Sequence, residues 1–360
     1  MENTLVSLNY HSIFVTAERK VFVSGNCIEP KKRMQKINCG KIVVASVHST
    51  VHDILLLDEN RSVHITTFLD YAAEIPDPVS FFYNITHISC GAFHSLLLSD
   101  SGDVWGFGKN ECGQLGVEKC DLVEASAPVL IKGLPPIESL SCGGYHSMFV
   151  DFKNTLWGCG RNCSGQLGIV YEHREVCLPQ KINENNNLPP VKSVYCGAGY
   201  HTLFIDIHGQ VWGCGNNRTS VLGKPKEQEN ELIHFPVKLN LTDIKSISSA
   251  DYHTLFLSED GKVYGCGQNR QFQLGIRDQN TILEPILLPI SPAADIKIVS
   301  CGRAHSIFVD ANGRMWGCGA STLGQLGNKA SYQTPTLLED FPLVDLSWAA
   351  TIIRKSARAI

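Results

Sequence analysis

Charged side chains are scarce in this chain, and the basic ones are not in excess. Asp, Glu, Lys and Arg make up only 18% of the 360 residues, and the formal net charge at pH 7 is −4. A protein that binds nucleic acid or another polyanion through its charge needs an excess of Lys and Arg over Asp and Glu. The composition therefore argues against a general polyanion binder, and we expect no nucleic-acid partner.

Long apolar runs are missing as well. The N-terminal stretch MENTLVSLNYHS has neither the basic flank nor the apolar core of a signal peptide. No later run approaches the ~20 apolar residues that a membrane-spanning helix needs. We therefore expect no membrane span and a cytoplasmic protein, with the nucleus as a second location.

The sequence shows no recognisable set of catalytic residues. A Ser-His-Asp set, paired carboxylates and a phosphate-binding loop are all absent from the pattern. The 14 cysteines first suggest a metal or disulfide framework, but eight of them recur at two fixed positions of a repeat, where small buried side chains are expected. We predict reduced packing cysteines, no catalytic residue, no metal site, no cofactor and no enzymatic chemistry. The eight are Cys90, Cys142, Cys159, Cys196, Cys214, Cys266, Cys301 and Cys318.

What the chain does contain is a repeat rich in glycine. The stretch HSLLLSDSGDVWGFGKNECGQLG, from His94 to Gly116, recurs with the same internal spacing from His146, His201, His253 and His305. Self-similarity at a fixed period is the sequence signature of a repeat architecture. The repeated unit, rather than a single site, decides the fold.

Each copy of the repeat predicts a β-hairpin. An apolar triplet such as Leu96–Leu98 begins two places after the His and is typical of a short buried strand. Eight places after the His stands a Gly or Asn, which accepts a left-handed backbone at low cost and marks a hairpin turn. The returning strand carries Trp or Tyr followed by Gly-x-Gly, which indicates that another backbone passes close by. The turn residues are Gly102, Asn154, Gly209, Gly261 and Gly313.

The pattern extends more weakly to the N-terminus. One copy has Phe22 at the Trp position, and another has Asn60 at the turn and Val63 at the aromatic position. Seven hairpins result, anchored near His11, His52, His94, His146, His201, His253 and His305. Further apolar runs, such as APVLIKGL and IESLSCGGYH, bring each unit to about four strands.

Four strands cannot bury both of their faces alone, whereas seven sheets arranged radially can. We predict one all-β domain over residues 1–360, a seven-bladed β-propeller of four-stranded antiparallel blades. The last apolar run, PLVDLSWAATII, repeats the strand before the His but has no hairpin after it. We expect it to close the ring by pairing of the N- and C-terminal strands, between residues 3–10 and 343–350.

The motifs resemble those of a known family. Gly-x-x-His-Ser/Thr, an apolar triplet, Gly-x-x-Trp-Gly-x-Gly and Gly-Gln-Leu-Gly, in this order, are similar to the regulator of chromosome condensation repeat. They are strong from about residue 90 to 330 and weaker at both ends. The Trp-Asp ending of WD repeats is absent, and kelch repeats lack Gly-Gln-Leu-Gly. The resemblance implies the seven-bladed propeller of this family.

The same resemblance leaves two functions open. The family's founding member is the guanine nucleotide exchange factor for the small GTPase Ran, and relatives are modules that bind other proteins. An ultraviolet-B photoreceptor branch of the family carries Trp two places before the repeat His. We do not expect that function here, because this chain has other residues at those positions: Ala92, Gly144, Gly199, Asp251 and Arg303. We expect a monomer that binds a protein partner, either as a regulator of a Ran-like or other small GTPase or as a scaffold or adaptor without exchange activity.

A candidate partner-binding surface lies just before the repeat histidines. These positions end a strand, so they lie on one rim of a propeller, and five of them are aromatic. Large rings dominate the energetics of protein interfaces. The alternative is that these rings only cap the blades. The resemblance to the Ran factor implies acidic and His side chains on this rim, and Asp251 alone matches by type. The predicted partner-binding residues are Tyr10, Phe93, Tyr145, Tyr200, Asp251, Tyr252 and Arg303.

Two other stretches are candidates for function. The longest inter-repeat segment, residues 171–190, is a candidate for the protruding wedge with which the family's exchange factor displaces nucleotide. The run EPKKRMQK is the only dense basic run, and its Lys31, Lys32 and Arg33 would contact nucleic acid, a membrane phosphate or an import receptor. The alternative is that this run is a solvated hairpin loop.

Overall fold

In the computed structural model, the described residues form 27 β-strands in seven antiparallel sheets and contain no helix. Six of the sheets have four strands, and the second has three within the described residues. The described residues are 5–7, 11–16, 20–25, 35–37, 42–47, 53–67, 84–117, 123–169, 174–182, 188–224, 231–291, 294–339 and 341–344.

Each sheet, or blade, takes its strands consecutively from the chain. Blade 1 contains β1 Leu5–Ser7, β2 His11–Val15, β3 Val21–Gly25 and β4 Gln35–Ile37. Blade 2 contains β5 Ile42–Val47, β6 Asp53–Asp58 and β7 Val63–Thr67. Blade 3 contains β8 Ile85–Cys90, β9 His94–Ser99, β10 Val104–Lys109 and β11 Glu124–Leu130. Blade 4 contains β12 Ile137–Cys142, β13 His146–Asp151, β14 Leu156–Arg161 and β15 Glu175–Lys181.

The remaining three blades repeat this order. Blade 5 contains β16 Val191–Gly197, β17 His201–Asp206, β18 Val211–Asn216 and β19 Leu232–Lys238. Blade 6 contains β20 Ile244–Ser249, β21 His253–Ser258, β22 Val263–Gly267 and β23 Ile282–Leu287. Blade 7 contains β24 Ile296–Cys301, β25 His305–Asp310, β26 Met315–Gly319 and β27 Tyr332–Leu337.

The first strands of the blades meet in a closed ring. Each contacts the first strand of the next blade, and β24 of blade 7 contacts β1 of blade 1. The fourth strands therefore form the outer edge. This arrangement confirms the predicted seven-bladed β-propeller.

The hydrophobic core lies between neighbouring blades. One buried Phe in each of blades 4 to 7, three residues after the repeat His, fills the gap to the preceding blade: Phe149, Phe204, Phe256 and Phe308. Burying such a ring stabilises the fold by about 1.5–3 kcal/mol. Because each core is shared by two blades, no blade can be removed without exposing its neighbours.

The predicted hairpin turns are confirmed by the backbone. Gly102 and Asn154 have φ values of 87° and 61°, and the other three turn glycines also have positive φ. In blade 4 the Oδ1 atom of Asp151 accepts the backbone N–H groups of Lys153 and Thr155, and its Oδ2 atom accepts the indole N–H of Trp157 at 3.1 Å. A single carboxylate thus fixes both the turn and the ring.

The Gly-x-Gly segment shows why its second glycine is needed. The register of β14 and β15 shifts between Gly158 and Gly160, so a β-bulge bends the strand. Gly160 has a φ of 101°, and a Cβ atom there would lie 2.5 Å from the carbonyl oxygen of Tyr145. The close backbone approach predicted from the sequence is therefore confirmed.

The second repeat is anchored one residue later than predicted. In β6 and β7, Leu56 pairs with His64, as Leu97 pairs with Trp105 in blade 3. The residue equivalent to the repeat His is therefore Asp53, not His52, which lies outside the described residues. The turn residue with positive φ is Arg61 instead of Asn60, and the aromatic position holds His64 instead of Val63.

The C-terminal segment joins the first blade. Val344 forms a bridge with Thr16, just beyond β2, in the register in which Ile137 pairs with Asp151 in blade 4. Its N–H also donates to the Gly313 carbonyl at 2.9 Å. The described pairing is thus between the C-terminal segment and the end of β2, while β1 pairs with the rest of β2. Within the described residues, β1 and Val344 therefore both join blade 1 alongside β2, and the predicted pairing of residues 3–10 with residues 343–350 is not found there.

A search for membrane-spanning helices, limited to the described residues, finds none that is long and apolar enough.

Candidate functional site

The second strand of each blade connects the two faces of the propeller. In blade 4, Tyr145 precedes β13 and Phe152 follows it. Six residues of extended chain span roughly 20 Å, so these two side chains lie on opposite faces. We call the face of the residues before the repeat His the aromatic face, and the other, where the hairpins turn, the hairpin-tip face.

The repeat histidines are structural. His94 is fully buried, and its Nε2 atom lies 2.9 Å from the Oγ atom of Ser147 in the next blade. The Ser147 hydroxyl donates to the Gln114 carbonyl oxygen at 2.6 Å, so the histidine must donate its Nε2–H to the hydroxyl. Equivalent inter-blade bonds link His146 to Thr202 and His253 to Ser306.

Burial keeps these rings neutral. Loss of hydration lowers the pKa of His146 and His253 to about 3 and that of His201 to about 4. A histidine that is neutral, buried and hydrogen-bonded between blades is not available as a general acid or base. His94, His146 and His253 are thus structural hydrogen-bonding partners that join neighbouring blades.

Three of the predicted binding residues form a ladder of rings on the aromatic face. The ring centres of Phe93 and Tyr145 are 5.2 Å apart, and those of Tyr145 and Tyr200 are 6.1 Å apart. All three side chains are half-buried. One ring comes from each of blades 3, 4 and 5, so the ladder crosses two blade junctions.

Two cations that sequence reasoning missed accompany this ladder. The Lys109 Nζ atom lies 5.1 Å from the Phe93 ring centre, and the Arg161 guanidinium lies 5.7 Å and 5.4 Å from the ring centres of Tyr145 and Tyr200. These are cation–π distances. A signal was present, since both residues directly follow the second glycine of Gly-x-Gly and so end their strands on this face.

Tyr200 is held in an uncommon backbone conformation. Its φ is 65°, in the left-handed region that costs a non-glycine residue roughly 1–2 kcal/mol. His201 stands five positions after Cys196, whereas His146 stands four positions after Cys142, so blade 5 carries one extra residue here. The Tyr200 ring lies within 22° of parallel with the Tyr145 ring.

A second cluster on the same face combines the other described candidates. Arg303 donates from Nη2 to the Tyr252 hydroxyl at 3.1 Å and lies 5.4 Å from the centre of that ring. Burial raises the pKa of the Asp251 carboxyl, and the neighbouring Arg303 partly opposes this. Asp251 also lies beside Gly199, so this cluster adjoins the ring ladder.

The other candidates are placed differently or not described. Tyr10 and the basic residues Lys31, Lys32 and Arg33 lie outside the described residues. The middle of the wedge candidate, residues 175–181, is β15, an ordinary outer strand paired with β14. That stretch is therefore not a protruding wedge, because its backbone is part of the blade 4 sheet.

The repeat cysteines pack as predicted. Six of the eight are buried, and Cys90 and Cys196 are half-buried. The Cys159 Sγ atom lies 3.6 Å from the Gln114 carbonyl oxygen of the preceding blade, and burial raises the pKa of the Cys196 thiol to about 12. Within the described ranges no three His, Cys, Asp or Glu side chains form a group that could hold a metal ion.

Known proteins resemble this chain over most of its length. A protein-family model described as RCC1-like domain matches residues 10–355. The ultraviolet-B receptor UVR8 of Arabidopsis thaliana is 27% identical over 256 residues, which are 70% of this chain and 57% of the receptor. The probable E3 ubiquitin-protein ligase HERC4 of Rattus norvegicus is 31% identical over 306 residues, 70% of this chain and 29% of the ligase. The chain thus spans about half of the one relative and under a third of the other.

Among solved structures, Prp20p of Saccharomyces cerevisiae superimposes with a TM-score of 0.76 at 18% identity. The match covers 99% of this chain and 96% of Prp20p, which extends the likeness in fold to the whole ring. Together with the repeat pattern and the seven blades, these matches show that the chain belongs to the RCC1-like domain family.

Proposed function

We propose that this chain is a protein-binding propeller that regulates a small GTPase through its aromatic face, in the manner of a guanine nucleotide exchange factor of the Ran type. The observation that carries the proposal is the ladder of Phe93, Tyr145 and Tyr200 with the cations Lys109 and Arg161 beside it. Rings and arginines are the residues enriched in the energetic centres of protein interfaces.

The blades do not require these rings in order to fold. In blade 7 the position before the repeat His holds Ala304, and the backbone there is the same: Ala320 N donates to the Ala304 carbonyl as Arg161 N donates to that of Tyr145. The repeat therefore does not need an aromatic residue at this position in order to form its blade. The presence of an aromatic residue here in three adjacent blades supports a role in binding.

A GTPase partner is supported by the likeness to Prp20p, whose crystal structure was described together with its binding to Gsp1p and histones. Exchange requires a factor to compete for the phosphate or magnesium region of its partner. Asp251 is the acidic candidate on the aromatic face, next to the ladder, and its neighbour Arg303 is a cation that can meet a carboxylate or a phosphate.

The second candidate function is a scaffold or adaptor without exchange activity. The surroundings of Asp251 favour it. Burial raises the pKa of this carboxyl and Arg303 lies beside it. Such a carboxyl is less free to compete for a magnesium ion. The longer relatives UVR8 and HERC4 carry the same repeat within proteins of different names and roles.

Release of a fluorescent GDP analogue from a panel of purified small GTPases, Ran included, tests the exchange function. Acceleration of release from one GTPase, lost in the Tyr145→Ala, Tyr200→Ala double variant, supports it. If no GTPase responds while affinity capture followed by mass spectrometry returns a partner that needs the same two rings, the adaptor function stands instead. Binding that is unaffected by the double variant contradicts both assignments of the face.

A further inference from the structure

The hairpin-tip face carries a second patch, on blades 4 and 5. The tip residue that follows the second strand is Phe152 in blade 4 and Ile207 in blade 5, and their side chains are 60% and 47% exposed. At the other tips that the structure describes, the corresponding residues are Glu59, Asp100, Glu259 and Ala311. A large apolar side chain at this position is therefore specific to two adjacent blades.

Backbone hydrogen bonds tie the two tips into one surface. Phe152 N donates to the Pro136 carbonyl at 3.3 Å, and Ile207 N donates to the Pro190 carbonyl at 3.0 Å. Between them, Val191 N donates to the Asn154 carbonyl at 2.9 Å and so joins the blade 4 turn to blade 5. Pro136 and Pro190 are themselves exposed. These bonds place the exposed residues Pro136, Phe152, Pro190 and Ile207 on neighbouring, connected loops, and we call this set of four the tip strip.

The charges around the tip strip differ from those at the other hairpin tips. At other hairpin tips several cations are paired, as in Arg61 with Asp100 at 2.9 Å and Lys262 with Asp260 at 2.6 Å. The three lysines next to the tip strip are Lys132, Lys153 and Lys192. They are exposed, and none of them forms an ion pair with any residue that the structure describes.

Exposed acidic groups near the strip are fewer. Glu138 follows Pro136 by two residues, and Asp243 lies next to Gly209 at the far end of the blade 5 turn. Asp151 and Asp206 also adjoin the strip, but both are buried and their carboxylates accept hydrogen bonds within their own hairpins. The exposed charges next to the strip are therefore three lysines and two carboxylates, although the whole chain carries a net charge of −4. An apolar strip with surplus lysines is complementary to an apolar side chain flanked by carboxylates.

From this arrangement we propose that the tip strip docks an acidic segment of a partner protein, one that places an apolar side chain against Phe152 and Ile207 and its carboxylates near Lys153 and Lys192. The site is on the face opposite the ring ladder, so the propeller has two binding faces. An anionic membrane is the less suitable occupant, because two apolar side chains give a bilayer little to bury and Glu138 and Asp243 oppose anionic lipid.

The test uses the full chain and two defined probes. One is a set of fluorescent peptides in which Leu, Phe or Trp is flanked by Asp and Glu, with matched peptides in which Lys replaces the acids. The other is vesicles of phosphatidylcholine and phosphatidylserine. We expect the acidic peptides to bind at least about tenfold more tightly than their Lys counterparts, and to weaken as salt is added.

Two variants assign the binding to the tip strip. Phe152→Ser with Ile207→Ser, and separately Lys153→Glu with Lys192→Glu, should each weaken acidic-peptide binding at least about tenfold. The matched control, Asp100→Ser with Glu259→Ser, changes the same tip position in other blades and should leave binding unaltered. Equal binding of acidic and Lys peptides, or full binding by the Phe152→Ser, Ile207→Ser variant, overturns the proposal. Vesicle binding that depends on the two apolar residues, without peptide binding, also overturns it, in favour of a membrane.

Discussion

The Nε2 atom of His305 lies 3.0 Å from the Oγ atom of Ser12, a residue 293 positions earlier in the chain. The same bond, from a repeat His to a hydroxyl of the next blade, joins His253 to Ser306 inside the ring. A second bond at the closure runs from the Ser24 hydroxyl to the Gln325 carbonyl at 2.8 Å. Blades 7 and 1 are therefore joined by the same kind of His-to-hydroxyl hydrogen bond that joins blades 6 and 7.

Ser12→Ala should destabilise the protein by about 1–3 kcal/mol, because it leaves a buried histidine N–H without its acceptor. Ser306→Ala should cost a similar amount at an internal junction, and Ser101→Ala, at an exposed tip, should cost little. Urea unfolding of the three variants measures these free energies. A wild-type midpoint for Ser12→Ala would mean that the closure bond adds nothing to stability.

The C-terminal contact can be tested with two neighbouring residues. Val344 is 4% exposed and packs against Phe341, whereas Leu343 is 55% exposed. Val344→Asp would bury a carboxylate among apolar side chains and should lower the melting temperature strongly, while Leu343→Asp should leave it nearly unchanged. Deletion of residues 342–360 should reproduce the larger effect. Equal melting temperatures for the two point variants would contradict a closure that depends on Val344.

The buried histidines predict that stability falls with acid in a defined window. Their folded pKa values of about 3 to 4 lie below the ordinary value of 6.5, so below pH 6.5 the unfolded chain binds more protons and the free energy of unfolding falls as pH falls. The loss ends near the folded pKa. Each such histidine contributes a slope of about 1.4 kcal/mol per pH unit.

Urea unfolding measured from pH 6.5 down to about pH 5 isolates this effect, because most carboxylates remain ionised there. The variant His146→Gln should be less stable than the wild type but should show a slope that is shallower by about one proton. An unchanged slope would show that His146 is not neutral in the folded state.

The hairpins could be predicted because the turn positions demand residue types that are visible in the sequence. A Gly or Asn at each turn, and a second glycine under the neighbouring carbonyl, are requirements of backbone geometry. The second repeat was misplaced by one residue because Ile54 to Leu57 is a run of four apolar residues that fits the triplet in two frames. Only the pairing of Leu56 with His64 decides between them.

The candidate site was only partly accessible from the sequence. The positions of Phe93, Tyr145 and Tyr200 follow from the repeat, but their mutual contact depends on the spacing of the blades and, for Tyr200, on the inserted residue. Lys109 and Arg161 are long side chains on an exposed rim, and the pattern does not reveal that they turn over the rings. The tip strip had a sequence signal, since Phe152 and Ile207 interrupt a position that is acidic in three other blades.

The aromatic face makes the most direct prediction about binding. Truncation of a central interface aromatic typically costs ~2 kcal/mol or more, about thirtyfold in affinity. Tyr145→Ala with Tyr200→Ala should therefore weaken binding of the partner found by nucleotide release or affinity capture by at least that factor. The change in melting temperature should be small, because both rings are half-buried and Ala304 is tolerated at the same position in blade 7.

Isothermal titration calorimetry and a thermal melt of the same samples separate the two roles open to these rings. The matched control is Leu178→Ala with Phe235→Ala, which removes two exposed apolar side chains from the outer strands of the same two blades and should leave this partner's affinity unchanged. If the tyrosine variant instead melts several degrees earlier and binds normally while folded, the rings are caps of the blades. The partner then docks elsewhere, and the hairpin-tip face becomes the first surface to test.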